Sequence, residues 1–166
     1  MKRLIMVNGT MGVGKTTTSR ELQKVLPNNV FLDGDWCWDM KPFIVNEETK
    51  SMVINNICFL LNNFLTCSAY ENIIFCWVMD EQSIIDEILS KIKTDGVSVK
   101  IFSLIADKAA LERRLKEDVK SGVRTVDVIE RSILRIEKYN LLNTTKIDVS
   151  EITPEQAAKL ILRKLS

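Results

Sequence analysis

Short apolar, β-branched runs alternate along the chain with longer stretches in which apolar positions recur at helical spacing. That is the pattern of a parallel sheet covered on both faces by helices. The runs predict five strands, Arg3–Asn8, Val30–Asp33, Asn72–Val78, Ser98–Ile105 and Lys146–Val149. Between them the helical period fits Lys15–Leu26, Glu47–Ser68, Glu81–Thr94, Lys108–Lys120, Val126–Leu141 and Pro154–Leu165. In the second of these helices Ile54, Ile57, Cys58, Leu61 and Leu65 form one apolar stripe, which marks core rather than chemistry. Pro27-Asn28-Asn29 stops the first helix, Asp95-Gly96 turns into the fourth strand, and Thr153-Pro154 with Glu155 opens the last helix. Around Ser121-Gly122 the helical pattern breaks in a charge-rich stretch, 117–127, which separates two arginine-bearing helices and suits a mobile cover. No linker, repeat or low-complexity segment interrupts the plan, so one domain is expected over 1–166.

Between the first strand and the first helix stands Gly9-Thr10-Met11-Gly12-Val13-Gly14-Lys15-Thr16, a complete G-x-x-x-x-G-K-[ST] phosphate-binding loop, followed by Thr17. Its glycines let the backbone curl so that successive N–H groups point at phosphate oxygens. Lys15 is expected to meet the β- and γ-phosphates as a point charge. Thr16 would offer its hydroxyl to the Mg²⁺ that bridges them, and the helix beginning here presents its positive end to the anion. The expectation is a nucleoside triphosphate site, with ATP and Mg²⁺, in a three-layer α/β P-loop NTPase fold.

Composition narrows the remaining chemistry. The chain has 166 residues, 46% hydrophobic and 27% charged, with a formal charge of +1. That balance argues against a broad nucleic-acid surface and leaves a small-molecule partner as the expectation. Met1-Lys2-Arg3 precedes an apolar run, but the run ends at Asn8-Gly9, too short for a signal peptide. No apolar stretch reaches membrane-spanning length, so no membrane span is expected; the expectation is a cytoplasmic protein, a monomer with a dimer as the alternative. With no histidine there is no Ser-His-Asp triad, Cys-His dyad or His-ligated zinc, and acid–base work falls to carboxylates, lysine or tyrosine. Cys37, Cys58, Cys67 and Cys76 show no C-x-x-C pairing and read as reduced, mostly buried thiols.

A second candidate element, Leu32-Asp33-Gly34-Asp35, puts two carboxylates at the C-terminal end of the second strand, the edge where open α/β sheets bind ligands. If the segment stays extended, alternate residues point the same way and both carboxylates reach the phosphate loop. One could help hold Mg²⁺ while the other accepts or orients the proton of a reacting hydroxyl. Asp-Gly-Asp also suits a simple turn.

With these elements in place the chain resembles the small P-loop kinases of the shikimate, gluconate and adenylylsulfate kinase group, and more loosely the nucleoside monophosphate kinases, over most of its length. The resemblance implies transfer of the γ-phosphoryl group of ATP to a small-molecule hydroxyl or phosphate. It implies Asp33 near Mg²⁺ and Asp35 at the acceptor hydroxyl. Glu112-Arg113-Arg114-Leu115 is similar to the entry of the family's lid, where an arginine, here Arg114, stacks on adenine. Arg124 and Arg135, with Asp127 nearby, are spaced like the pair that clasps transferring phosphates in nucleoside monophosphate kinases. Asp148-Val149-Ser150 and Glu151-Ile152-Thr153-Pro154 look like the loop beside the adenine.

Departures leave the acceptor open. The third strand is followed by neither the Asp-Gly-Phe-Pro-Arg of adenylate kinases nor the Gly-Gly-Gly of shikimate kinases; the chain reads Cys76-Trp77-Val78-Met79-Asp80-Glu81. Asp80 is expected as a helix N-cap in preference to a magnesium-directed acid. Trp36, Trp38, Asp39, Lys41 and Phe43 suit either an acceptor pocket or core packing. A metabolite-hydroxyl kinase ranks above a nucleoside monophosphate kinase, because Asp-Gly-Asp favours the former. An ATP-hydrolysing switch stays open through Asp80-Glu81. A GTPase lacks its Asn-Lys-x-Asp signature, and a nucleic-acid end kinase would need a basic channel.

Overall fold

The computed structural model describes residues 1–165. Its strands are β1 (Lys2–Asn8), β2 (Asn29–Asp33), β3 (Asn72–Trp77), β4 (Val97–Ile105) and β5 (Thr145–Asp148). The helices are α1 (Lys15–Val25), α2 (Glu47–Thr66), α3 (Gln82–Lys91), α4 (Lys108–Lys120), α5 (Asp127–Leu134), α6 (Ile136–Leu141) and α7 (Pro154–Arg163). All pairings are parallel and the sheet order is β2-β3-β1-β4-β5. This is the three-layer α/β arrangement that the alternating pattern predicts.

Two cores follow from the two-residue period of the strands. On β1, Leu4 and Met6 point to the α2/α3 side while Ile5 and Val7 point to the α1/α7 side; on β3, Ile73, Phe75 and Trp77 oppose Ile74 and Cys76 in the same way. β1 and β3 are covered on both faces, so their sequences read as continuous apolar runs. The register levels the strand ends: Asn8 lies opposite Trp77 and Ser103, and Asp33 opposite Cys76.

Helix starts are set locally where side chains can do it. Asn46 and Thr49 form a capping box on α2, Thr153 and Gln156 another on α7 with Pro154 in its first turn, and Asp107 accepts from Ala110 N at 2.7 Å on α4.

Three expectations change. The helix predicted over Val126–Leu141 is two helices meeting at Arg135, whose N–H bonds back to Ser132 O. No glycine or proline marks that break; Arg135 and Lys138 are both drawn to Asp80, a tertiary cause. Helix α4 continues through Lys120, so the irregular part of the 117–127 stretch is only 121–126. After Asp33 the chain does not stay extended but winds into a short 3-10 helix, Gly34–Trp38, which ends the alternation on which the shared direction of Asp33 and Asp35 depended.

Candidate functional site

The phosphate-binding loop runs from the buried end of β1 to the first turn of α1. Gly9, Gly12 and Gly14 all take positive φ. Gly14, at φ 103°, is the position from which α1 starts; α1 has no side-chain cap and no acid in its first turn, so its leading N–H groups are free for an anion. Asn8 anchors the loop. Fully buried, it accepts from Gly9 N at 2.8 Å and Met79 N at 2.9 Å and donates to Met79 O at 2.8 Å, tying the loop to the end of β3. Thr10, also buried, donates to Ser132 O at 3.1 Å and ties the same loop to α5. Met11 and Val13 pack toward the α4 side of the core.

Lys15 lies along the loop, its ammonium donating to Thr10 O at 3.0 Å. Burial lowers its pKa to about 8, with Cys76, Asp35 and Asp33 pulling the other way and Arg124 adding to the decrease. The thiol of Cys76 lies below, pushed up to about 12 chiefly by burial, and is a neutral floor. Thr16 donates to Asp33 Oδ2 at 2.8 Å. Asp33 is buried on the α1 side because it has the same parity as Phe31, and its other oxygen accepts from Asp35 N at 3.1 Å. Asp35 is exposed. Thr17 is exposed on the first turn of α1.

A hydroxyl bonded to a carboxylate, next to a glycine cradle and a lysine, is an all-oxygen donor set suited to a hydrated Mg²⁺. The described residues contain no cluster of three or more Cys, Asp or Glu that would hold a metal without help, so most of the ion's ligands would be phosphate and water oxygens.

Beyond the loop lies a cleft of about 220 Å³ lined by Gly12, Val13, Gly14, Thr18, Arg114, Val149, Ile152, Pro154 and Ala157. Arg114 borders this cleft as a strap: it donates to Val13 O at 3.4 Å, to Ser150 O at 3.3 Å and to Val149 O. The phosphate loop and the loop after β5 are thereby held together through one guanidinium. Its N–H groups donate in the guanidinium plane, so these bonds fix Arg114 at the cleft and leave its faces for the stacking role that the family resemblance implies.

The other arginines have carboxylate partners. Arg124 pairs with Asp118 at 3.1 Å, and Arg135 reaches Asp80 at 3.6 Å, where Lys138 also arrives at 3.4 Å. Asp127 accepts from Thr125 and pairs with Arg131 at 2.9 Å. The expected capping role of Asp80 is not found: α3 starts after Glu81 without a side-chain cap, and Asp80, 12% exposed, binds the basic residues at the α5–α6 junction instead. Thr10 was expected in the phosphate loop, whereas the anchoring role of Asn8 and the pairing of Asp80 with Arg135 and Lys138 were not anticipated. For Asn8 a signal existed, a lone amide closing an apolar strand directly before the glycine loop.

Residues 5–135 match the family model described as AAA domain, a span that takes in the phosphate loop, Asp33 and the arginine-bearing helices. The chain belongs to the AAA domain family. No curated protein matches it. Among solved structures, this AAA domain chain is similar to the tunicamycin resistance protein of Deinococcus radiodurans, at 23% identity and TM-score 0.73, with 100% of this chain and 96% of that one covered. It is also similar to a gluconokinase from Sinorhizobium meliloti 1021 (15% identity, TM-score 0.70, 97% and 91% covered) and to the shikimate kinase of Acinetobacter baumannii (19%, 0.66, 99% and 93%). These likenesses establish that the fold is that of the small P-loop kinases.

Proposed function

We propose that this AAA domain is an ATP-dependent phosphotransferase acting on a small-molecule acceptor, a hydroxyl in preference to a nucleoside monophosphate. The observation carrying the reading is the bond from Thr16, beside Lys15, to Asp33 at 2.8 Å, with Asp35 N on the same carboxylate at 3.1 Å, at the C-terminal edge of the sheet near a cleft sized for a base. Val13, Ile152, Pro154 and Ala157 would bracket the adenine, with Val149 contributing backbone, while N–H groups of the loop from Gly9 to Thr17 receive the phosphates. Thr16 and Asp33 would hold Mg²⁺, which when bound neutralises charge on the β- and γ-phosphates. Lys15 adds a fixed positive charge where the leaving oxygen becomes negative. Asp35, exposed and held by its own N–H on Asp33, accepts the proton of the acceptor hydroxyl as its oxygen bonds to the γ-phosphorus and ADP leaves. Arg124 and Arg135 would stabilise the transferring group once they leave Asp118 and Asp80.

The ATPase alternative rested on Asp80-Glu81, and both carboxylates are engaged by Lys138, at 3.4 and 3.3 Å. The test is ADP release with Mg²⁺–ATP across sugar acids, hydroxylated metabolites, nucleoside monophosphates and a short oligonucleotide, against a control without acceptor. Acceptor-dependent release is expected, falling about 10²–10⁴-fold in Asp35→Asn with ATP binding retained. Release that ignores every acceptor overturns the kinase reading.

A further inference from the structure

Resting on the kinase reading, we infer that the acceptor is an uncharged amphipathic alcohol, a hydroxyl carried on an apolar or aromatic body, and that the Trp38–Phe43 wall next to Asp35 selects it. The flank begins at Gly34, packed so closely on Trp77 that no side chain fits between them. Trp77 meets Trp38 edge to face at 5.7 Å, and Trp38 meets Phe43 at 5.2 Å. This row of rings therefore starts beneath the Asp33-Gly34-Asp35 turn and leads outward to solvent, where Phe43 is 62% exposed and Ile44 and Val45 follow it. Asn56 of α2 donates to Cys37 O at 2.9 Å and holds the 3-10 helix that carries Trp38. Exposed apolar side chains that lead on from a packed row of rings beside a candidate active site suit a binding wall.

Charge argues against an anionic acceptor. Recognition of a carboxylate or phosphate favours arginine, whose fork matches two oxygens. The chain has no arginine between Arg20 and Arg113, the whole stretch that builds β2, α2, β3 and α3. From Asp33 to Lys50 five carboxylates stand against two lysines, and Lys50 is paired with Glu47 at 2.9 Å. Arg20 is spent on the rings of Phe31 and Trp36. The lid arginines have carboxylate partners and, in the kinase reading, serve the transferring phosphates. An anionic acceptor would meet like charge on this side, whereas a neutral alcohol loses nothing and gains the rings.

All three tryptophans, Trp36, Trp38 and Trp77, lie on or next to this flank, so intrinsic fluorescence reports its occupancy. The probes are matched pairs: phenyl β-glucoside with phenyl β-glucuronide, 3-phenylpropanol with 3-phenylpropionate, and methyl β-glucoside as the alcohol without a ring. Both phenyl alcohols are expected to bind at least tenfold more tightly than their carboxylate twins, and phenyl glucoside tenfold more tightly than methyl glucoside. Phe43→Ala removes the phenyl advantage; Phe59→Ala, an equally exposed ring on the outer face of α2, leaves it intact. Absence of saturable binding by both phenyl alcohols, carboxylates binding as tightly, or a preference indifferent to Phe43 overturns the inference. ADP release is measured on the same samples with gluconate, shikimate and nucleoside monophosphates included. Turnover with those anions overturns this inference and leaves the kinase reading standing, while selective binding of the alcohols without turnover of any acceptor overturns the kinase reading and leaves only the ring selectivity of the wall.

Discussion

Gly34 is the position where packing and chemistry can be separated most sharply. Its backbone is not in the left-handed region, so alanine is permitted there by φ and ψ, yet a Cβ would stand 2.4 Å from Trp77 Cγ, 2.5 Å from Cδ1 and 2.9 Å from Cβ. Reaching ordinary contact at 3.4 Å requires roughly 1 Å of movement by a ring that is 7% exposed and wedged against Trp38. Overpacking of that kind costs about 1–3 kcal/mol. For a domain of this size each kcal/mol lowers Tm by about 2–4 °C, so Gly34→Ala is expected to melt about 2–12 °C early. Because Asp35 is the next residue, a displacement of order 1 Å also moves the proposed acid–base group, enough to reduce turnover by about 10²-fold. The assay is urea unfolding followed by far-UV circular dichroism, on Gly34→Ala, Trp77→Val and the double variant. If the ring is the obstacle, the Gly34→Ala penalty shrinks in the Trp77→Val background by a coupling of about 0.5–3 kcal/mol. Stability within about 0.5 kcal/mol of the parent, or strict additivity of the two substitutions, would refute the steric reasoning.

Other outcomes follow from the same geometry. Asn8→Leu leaves Gly9 N and both backbone groups of Met79 without their buried partners, each at about 1–3 kcal/mol, so denaturant melts should show a large loss of stability before any nucleotide is added. Arg114→Leu removes the strap between Val13 and the loop after β5; nucleotide-free protein is expected to lose about 1.5–3 kcal/mol, whereas a residue that only stacked on a base would leave that melt unchanged. The pKa of Lys15 is lowered, so below about pH 8 the folded state bears a buried charge that the unfolded chain solvates, and this penalty is relieved as pH rises from about 8 toward 10.5. Over the same window phosphate binding must restore the proton. Calorimetry at pH 8.5 in buffers of different ionisation heat should therefore report net proton uptake on ATP binding, and zero uptake would contradict the assigned burial.

The fold was legible because its signals are local. A two-residue alternation shared between two cores, helical stripes and capping residues specify elements over five to twenty positions, and the five parallel strands lie within a residue or two of the apolar runs. The phosphate loop was legible for the same reason, since its residues are consecutive and its position between β1 and α1 follows from the order of the pattern. Family membership rests on a much longer match, residues 5–135, which includes that loop.

Contacts between residues far apart in the chain were not legible. The break at Arg135 has no glycine or proline to announce it and depends on Asp80, more than fifty positions earlier. Arg114 reads as a lid arginine in sequence and becomes a strap only because the loop after β5 closes on it. Asp33 and Asp35 look equivalent on paper; the parity of β2 buries one against Thr16, while the 3-10 helix leaves the other exposed. By itself the sequence determined where strands, helices and the anion cradle form, because backbone conformation answers to neighbours along the chain. Which carboxylate meets which cation, and which rings stand beside Asp35, was decided only by the tertiary structure, because those energies depend on distance and burial.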